Sequence, residues 1–283
     1  MRLITGWLFC LSKTAREPFG GYEKDDRKEG TQVAKSKNPV EQLLENNIAP
    51  LELFYKKVYG LPDDETLGYK TYLNINSMDA GVLAPDDYRY VARRTLQSEQ
   101  LAEKTITKVM RVLHNGQGRD IKGWVSIEVP DRMLRGGKLI DFITSMMRRY
   151  PRASVNRICL EFNSEIFFSE FDVMKSEVEK LKELGFKIGF DEVGTEYFPL
   201  MKLQQLPVDI IFLDKSINEN LDTETEEKTV GSLVAFLVRL NSQVIATGLE
   251  YDKKKGADRV GFTGYCKKDY DGIFPPMTET EED

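Results

Sequence analysis

The sequence holds a single histidine, His114, and only three cysteines in 283 residues, and these scarcities exclude a good deal of chemistry. One histidine rules out an H-E-x-x-H zinc helix and any mechanism built on a histidine pair. Cys10, Cys159 and Cys266 are odd in number, lie far apart and form no C-x-x-C pair, so neither a disulfide framework nor a zinc site is expected and a reducing cytoplasm is. An excess of positive charge is missing too. Forty Lys and Arg stand against 46 Asp and Glu, a net charge of −6, which leaves no overall basic surface for a polynucleotide backbone. No apolar run is long enough to cross a bilayer: Leu3 to Leu11 is about half the necessary length. Ser12 to Arg16 behind it makes a poor signal-peptide cleavage site.

What is present is ordinary globular material, 41% apolar and 30% charged, long enough to bury a sizeable core. Lys13 to Asn38 mixes charges of both signs with glycines and has almost no large apolar residues, the composition of a disordered linker. Residues 1–40 are therefore expected as an apolar stub and charged linker, 41–277 as the folded domain, and 278–283 as an acidic tail. Within the domain, strand patterns at Trp124 to Val129, Arg157 to Phe162, Phe186 to Phe190, Ile210 to Leu213, Val244 to Thr247 and Gly261 to Tyr265 alternate with helical ones. The helices are expected over Asp86 to His114, Lys138 to Arg149, Glu170 to Leu184 and Thr229 to Leu240, and hairpin-like material over Leu51 to Leu73. Strands apolar on both faces and joined by helices belong to a buried parallel sheet. Six of them with a hairpin point to a barrel.

Functional groups of such barrels stand at the C-terminal ends of the strands. Glu128, Glu161, the pair Asp191-Glu192, Asp214 and Thr247 fall there. Carboxylates converging on one mouth repel one another unless a cation neutralises them. Each can also be read as a helix cap or as the partner of a lysine.

The residues around these strand ends resemble a family. Phe190 to Tyr197, Leu206-Pro207-Val208-Asp209 and Leu213-Asp214-Lys215-Ser216-Ile217 are similar to the D-D-F-G-T-G-Y and K-x-D-x-S-F core of EAL domains, the cyclic-di-GMP phosphodiesterase family. Leu160-Glu161-Phe162-Asn163-Ser164 resembles L-E-I-T-E, Ala246-Thr247-Gly248-Leu249-Glu250 resembles A-E-G-V-E, and Tyr69-Lys70-Thr71-Tyr72-Leu73-Asn74 lies on the Y-E-A-L-L-R signature. Ile127-Glu128-Val129-Pro130 falls on V-N-L-S, Gly81 to Pro85 on G-x-I-x-P, and Gly264-Tyr265 with Pro275-Pro276 on the closing segment. The resemblance implies a TIM-like (β/α)8 barrel of EAL type. It also implies two divalent cations, Mg²⁺ or Mn²⁺, activating the water that attacks a phosphodiester.

Several positions depart from the family. Of the cation ligands that the resemblance implies, Glu161 and Asp191 are kept, while the signature Glu is Lys70, the Asn is Glu128 and the second Asp is Glu192. The water-positioning lysine is Phe212, the first Glu of A-E-G-V-E is Thr247, the phosphate-binding arginine is Asn74, and Glu250 is retained. Ser164 replaces the loop-anchoring Glu, Glu196 replaces a loop glycine, and Lys56-Lys57 stand where Q-P is usual. Lys70 is expected partly buried at the mouth within ion-pair reach of Glu161 or Asp191, and no metal or other cofactor is expected. The first reading is a degenerate, inactive domain that acts as a regulatory module in bacterial signalling through an unidentified protein partner. Two others stay open: a receptor that binds cyclic-di-GMP without cleaving it, and a weakly active phosphodiesterase with metal on Glu128, Glu161, Asp191 and Glu192.

Overall fold

A computed structural model describes residues 51–77, 81–93, 97–116, 121–195, 198–218, 221 and 223–268, all in the second of the two units into which the chain divides, Lys37–Asp283. The expectations for 1–40 and 278–283 lie outside the described residues. The chain opens with an antiparallel hairpin, β1 (Leu51–Gly60) and β2 (Thr66–Ser77), and a short β3 (Gly81–Leu83) hydrogen-bonded to the far end of β2. Then come α1 (Pro85–Arg93), α2 (Gln97–His114), β4 (Trp124–Glu128), α3 (Lys138–Arg149), β5 (Ile158–Phe162), α4 (Phe171–Glu183) and β6 (Lys187–Val193). The remainder is α5 (Leu200–Leu203), β7 (Ile210–Leu213), α6 (Lys215–Asn218), α7 (Glu224–Val238), β8 (Gln243–Leu249), α8 (Lys254–Val260) and β9 (Gly264–Lys267).

The strand order β1-β9-β8-β7-β6-β5-β4-β2 closes on itself through the β1–β2 pairing, so eight strands form the expected TIM-like (β/α)8 barrel. Every pairing from β2 through β9 around the ring is parallel, and β1 alone runs against both of its neighbours. The seam between β1 and β9 is short, with Tyr59 opposite Tyr265 and Gly60 opposite Gly264. It is latched by Asp64 in the hairpin turn, whose carboxylate accepts hydrogen bonds from Lys254 Nζ at 2.6 Å and Tyr265 Oη at 2.8 Å.

Strand alternation sorts the apolar residues into two bodies. Ile211, Leu213, Val125, Ile127, Leu160, Phe190 and their neighbours face outward beneath the helices, whereas Val58, Trp124, Cys159, Ile210, Phe212, Ile245 and Cys266 fill the barrel. The helices form where apolar residues recur at helical spacing. In α4, Met174, Val178 and Leu181 are buried, and Gly185 behind it takes φ 96°, the left-handed geometry of a helix stop. Thr223 and Glu226 cap α7 reciprocally.

Most boundaries agree with the sequence patterns to within a few residues, and α3 and β7 coincide with them. The single helix expected from Asp86 to His114 is instead two helices, α1 and α2, with 94–96 outside the described residues. Strands β6 and β8 run past their expected ends because each carries a bulge near its C-terminus, between Phe190 and Val193 and between Ala246 and Leu249. Polar residues there end the apolar run but not the strand.

Gly68 has Trp124 as its register partner, and a Cβ added at Gly68 would stand 2.3 Å from the indole. Gly68→Ala is expected to cost about 3 kcal/mol, the upper end for overpacking, as read by urea denaturation.

Candidate functional site

The inner face of the barrel changes character one step above its apolar filling. Two residues beyond Gly68, Trp124, Cys159, Gly189 and Ile245 on their strands stand Lys70, Ser126, Glu161, Asp191 and Thr247. Parallel register sets them side by side: Lys70 is opposite Ser126, and Cys159, beside Lys187, brings Glu161 level with Gly189. The β6 bulge then fixes Asp191. Phe190 and Val193 are three residues apart yet both belong to the outer core, so the two residues between them absorb the change of face. Glu192 takes φ 57°, a left-handed conformation costly for a residue with a side chain.

Lys70 holds the centre. Its Nζ lies 3.0 Å from Glu161 Oε1 and 2.9 Å from Asp191 Oδ2, and the side chain is 8% exposed. Beneath the ammonium is the ring of Phe212, with its centroid 3.9 Å away. Trp124 meets that ring edge-on at 5.9 Å. Ser126 Oγ donates to the second oxygen of Glu161 at 2.6 Å. Expected partly buried within reach of Glu161 or Asp191, Lys70 is almost fully buried and meets both carboxylates at once.

Burial alone would pull the Lys70 ammonium down, but Asp191 and Glu161 hold it well above its ordinary value. Burial pushes the Glu161 carboxyl up from 4.5 to about 7, with Lys70 opposing, Asp191 adding to the rise and Ser126 opposing. These directions are consistent. Burial weighs more heavily on Glu161, the more deeply enclosed of the two carboxylates, than Lys70 offsets.

The other predicted site residues, Thr247 of the same layer included, have partners of their own outside the Lys70 cluster. Thr247 donates its hydroxyl to the Leu213 carbonyl at 2.6 Å. Asp214 accepts from the backbone N–H of Ser216 at 2.9 Å, the helix-capping role. Glu250 accepts from Lys268 Nζ, and Asn74 lies opposite Glu52 in the hairpin. Glu128 lines a shallow cleft beside Tyr72, Tyr88, Pro130, Asn163 and Glu165. Ser126 escaped the sequence reading, although its place two residues before Glu128 in a strand was a usable signal.

A divalent metal does not fit the residues present. The space between Glu161 and Asp191 is taken by an ammonium, Phe212 has no donor atom, and the Thr247 hydroxyl is committed to a carbonyl, whereas Mg²⁺ and Ca²⁺ want six or more oxygens. Among the described residues no group of three His, Cys, Asp or Glu is placed to hold a metal ion, and no helix is long and apolar enough to cross a membrane.

The family model of the EAL domain matches residues 39–254, more than half of the chain. "Probable cyclic di-GMP phosphodiesterase PdeB" of Escherichia coli is 24% identical over 201 residues, 71% of this chain and 38% of its own. The chain spans about a third of the length of the curated relatives it matches. Among solved structures, the PaMucR phosphodiesterase in complex with c-di-GMP superposes with a TM-score of 0.72 at 20% identity, covering 83% of this chain and 96% of that one. The FimX EAL domain from Pseudomonas aeruginosa bound to c-di-GMP does so with 0.69 at 17% identity, covering 82% and 97%. At these identities the structural likeness speaks to the fold.

Two outcomes follow from the cluster. Lys70→Met should lower stability by about 3 kcal/mol, as expected on breaking a buried ion pair, with a larger loss above pH 7 than near pH 5 by denaturant titration. Because Glu161 titrates higher in the folded protein than its ordinary 4.5, its contribution is fully present below that value and lost as pH rises through about 7. The melting temperature of the parent relative to Glu161→Gln should therefore fall across that window.

Proposed function

Since the chain belongs to the EAL domain family, we propose that it is a degenerate member which does not hydrolyse cyclic-di-GMP and serves as a regulatory module of bacterial cyclic-di-GMP signalling, acting in the cytoplasm on a protein partner. One observation carries this reading: the Lys70 ammonium stands within 3.0 Å of Glu161 and Asp191, the two carboxylates still matching the family's cation ligands. Two unit charges about 4 Å apart interact by roughly 4 kcal/mol at an effective dielectric of 20, and a dication doubles the repulsion. A metal competing for those carboxylates would have to displace an ammonium already balanced by them. Phe212 has no polar atom to orient an attacking water, and Thr247, whose hydroxyl proton goes to the Leu213 carbonyl, brings neither a carboxylate nor an ammonium to activate one, which supports the same conclusion independently of the metal.

A second reading is favoured by Lys56, which stands directly across from Lys70 in the hairpin register and shares the inner face of β1 with Val58. Lysines on that face suit a phosphodiester, and a receptor that holds cyclic-di-GMP without cleaving it would use Lys56 and Lys70.

Incubation of the purified protein with cyclic-di-GMP and Mg²⁺ or Mn²⁺, followed by chromatography of the nucleotides, is expected to yield no linear product. Product forming in proportion to protein concentration would overturn the proposal. Fluorescent cyclic-di-GMP separates the two readings: saturable binding, weakened by Lys56→Ala, favours the receptor.

A further inference from the structure

We propose that the barrel mouth is a seat for a primary ammonium ion, filled in the parent chain by its own Lys70 and open, once that side chain is removed, to a short alkylammonium in preference to a divalent metal. A primary ammonium has three N–H donors and no acceptor. Lys70 meets three partners: Glu161 Oε1 at 3.0 Å, Asp191 Oδ2 at 2.9 Å and the face of Phe212 with its centroid at 3.9 Å.

The third partner decides which cation the seat accepts. An aromatic face attracts a cation through its quadrupole, more strongly where water is excluded. Phe212 is fully buried and braced by the edge of Trp124. To a hard dication the same ring supplies no oxygen and closes off the side on which coordinating water would stand. Phe212 is therefore a positioning residue: it forms the floor that sets the height of the ammonium against the two carboxylates, while Ser126 occupies the outer oxygen of Glu161 at 2.6 Å. An ammonium at position 212 would repel the one on Lys70, so Lys70 and Phe212 belong together as a pair. The seat follows from the contacts of these side chains and depends neither on a protein partner nor on the loss of hydrolysis.

Lys70→Ala keeps Cβ and deletes three carbons and the ammonium, the same heavy atoms that n-propylammonium supplies, with its alkyl end free to tilt away to van der Waals distance from the alanine methyl. The variant is expected to melt below the parent. Millimolar n-propylammonium should raise its melting temperature by several degrees, n-propanol should not, and Mg²⁺ or Mn²⁺ should do so less; the parent should respond to none of them. The seat is refuted if Mg²⁺ or Mn²⁺ stabilises Lys70→Ala as well as the amine does, if propanol matches the amine, or if no added cation stabilises a folded variant. Should Lys70→Ala fail to fold, a double-mutant cycle on Lys70→Met and Phe212→Leu reads the same contact. Melting shifts that are not additive are expected, and additive ones would refute it.

Discussion

Inside the barrel the Lys70 ammonium lies between two carboxylates, and the surrounding arrangement follows from that pairing. Buried carboxylates are tolerated only when paired and hydrogen-bonded. Glu161 has Lys70 on one oxygen and Ser126 on the other, while Asp191, 16% exposed at its side chain, keeps contact with solvent. Burial accordingly pushes Glu161, and not the more open Asp191, toward its protonated form. Below this layer the interior is apolar and closely fitted: Gly68 leaves room for Trp124, and Gly189, where a Cβ would meet Cys159 Sγ at 2.7 Å, leaves room for that thiol. A polar layer resting on a dry, rigid one explains how a flexible lysine is confined to one position.

Much of this was legible in the sequence, for identifiable reasons. Helix α3 and strand β7 could be read to the residue because their patterns are strong and their ends carry clear signals, Gly136-Gly137 before one and Asp214 after the other. The pairing of Lys70 could be anticipated because the resemblance sets it in place of a cation ligand, among the positions of Glu161 and Asp191. The bulges could not, since Asp191-Glu192 and Thr247-Gly248 look like strand ends. Only the pairing partners of β6 and β8 show that the backbone continues beyond them. Phe212 was read as the loss of a lysine. Its second role, as the surface beneath Lys70, depends on two strands that are not neighbours in the ring.

The two bulges also reshape the mouth ends of β6 and β8. A regular strand would present every second side chain to the mouth, but an extra residue in β6 and in β8 returns the following positions, Val193 and Leu249, to the outer core. Strand ends that look equivalent in sequence thus have different roles. Glu161 and Asp191 point inward, Asp214 caps the turn of α6, and Glu250 pairs with Lys268 at the surface. Convergence of carboxylates inferred from strand ends alone overstates how many share one site.

The seam between β1 and β9 has a consequence for biosynthesis. Each parallel strand finds its next neighbour within a few tens of residues, whereas the antiparallel β1 must wait for β9, and Asp64 for Lys254 and Tyr265, partners 190 and 201 positions later. On the ribosome the growing sheet therefore keeps an unpaired edge until nearly the whole described chain has emerged. Such an edge is open to pairing with other chains. A nascent chain stalled short of β9 would hold its buried charges in a barrel that has not yet excluded water, which makes the last strand the step that commits the protein to its interior chemistry.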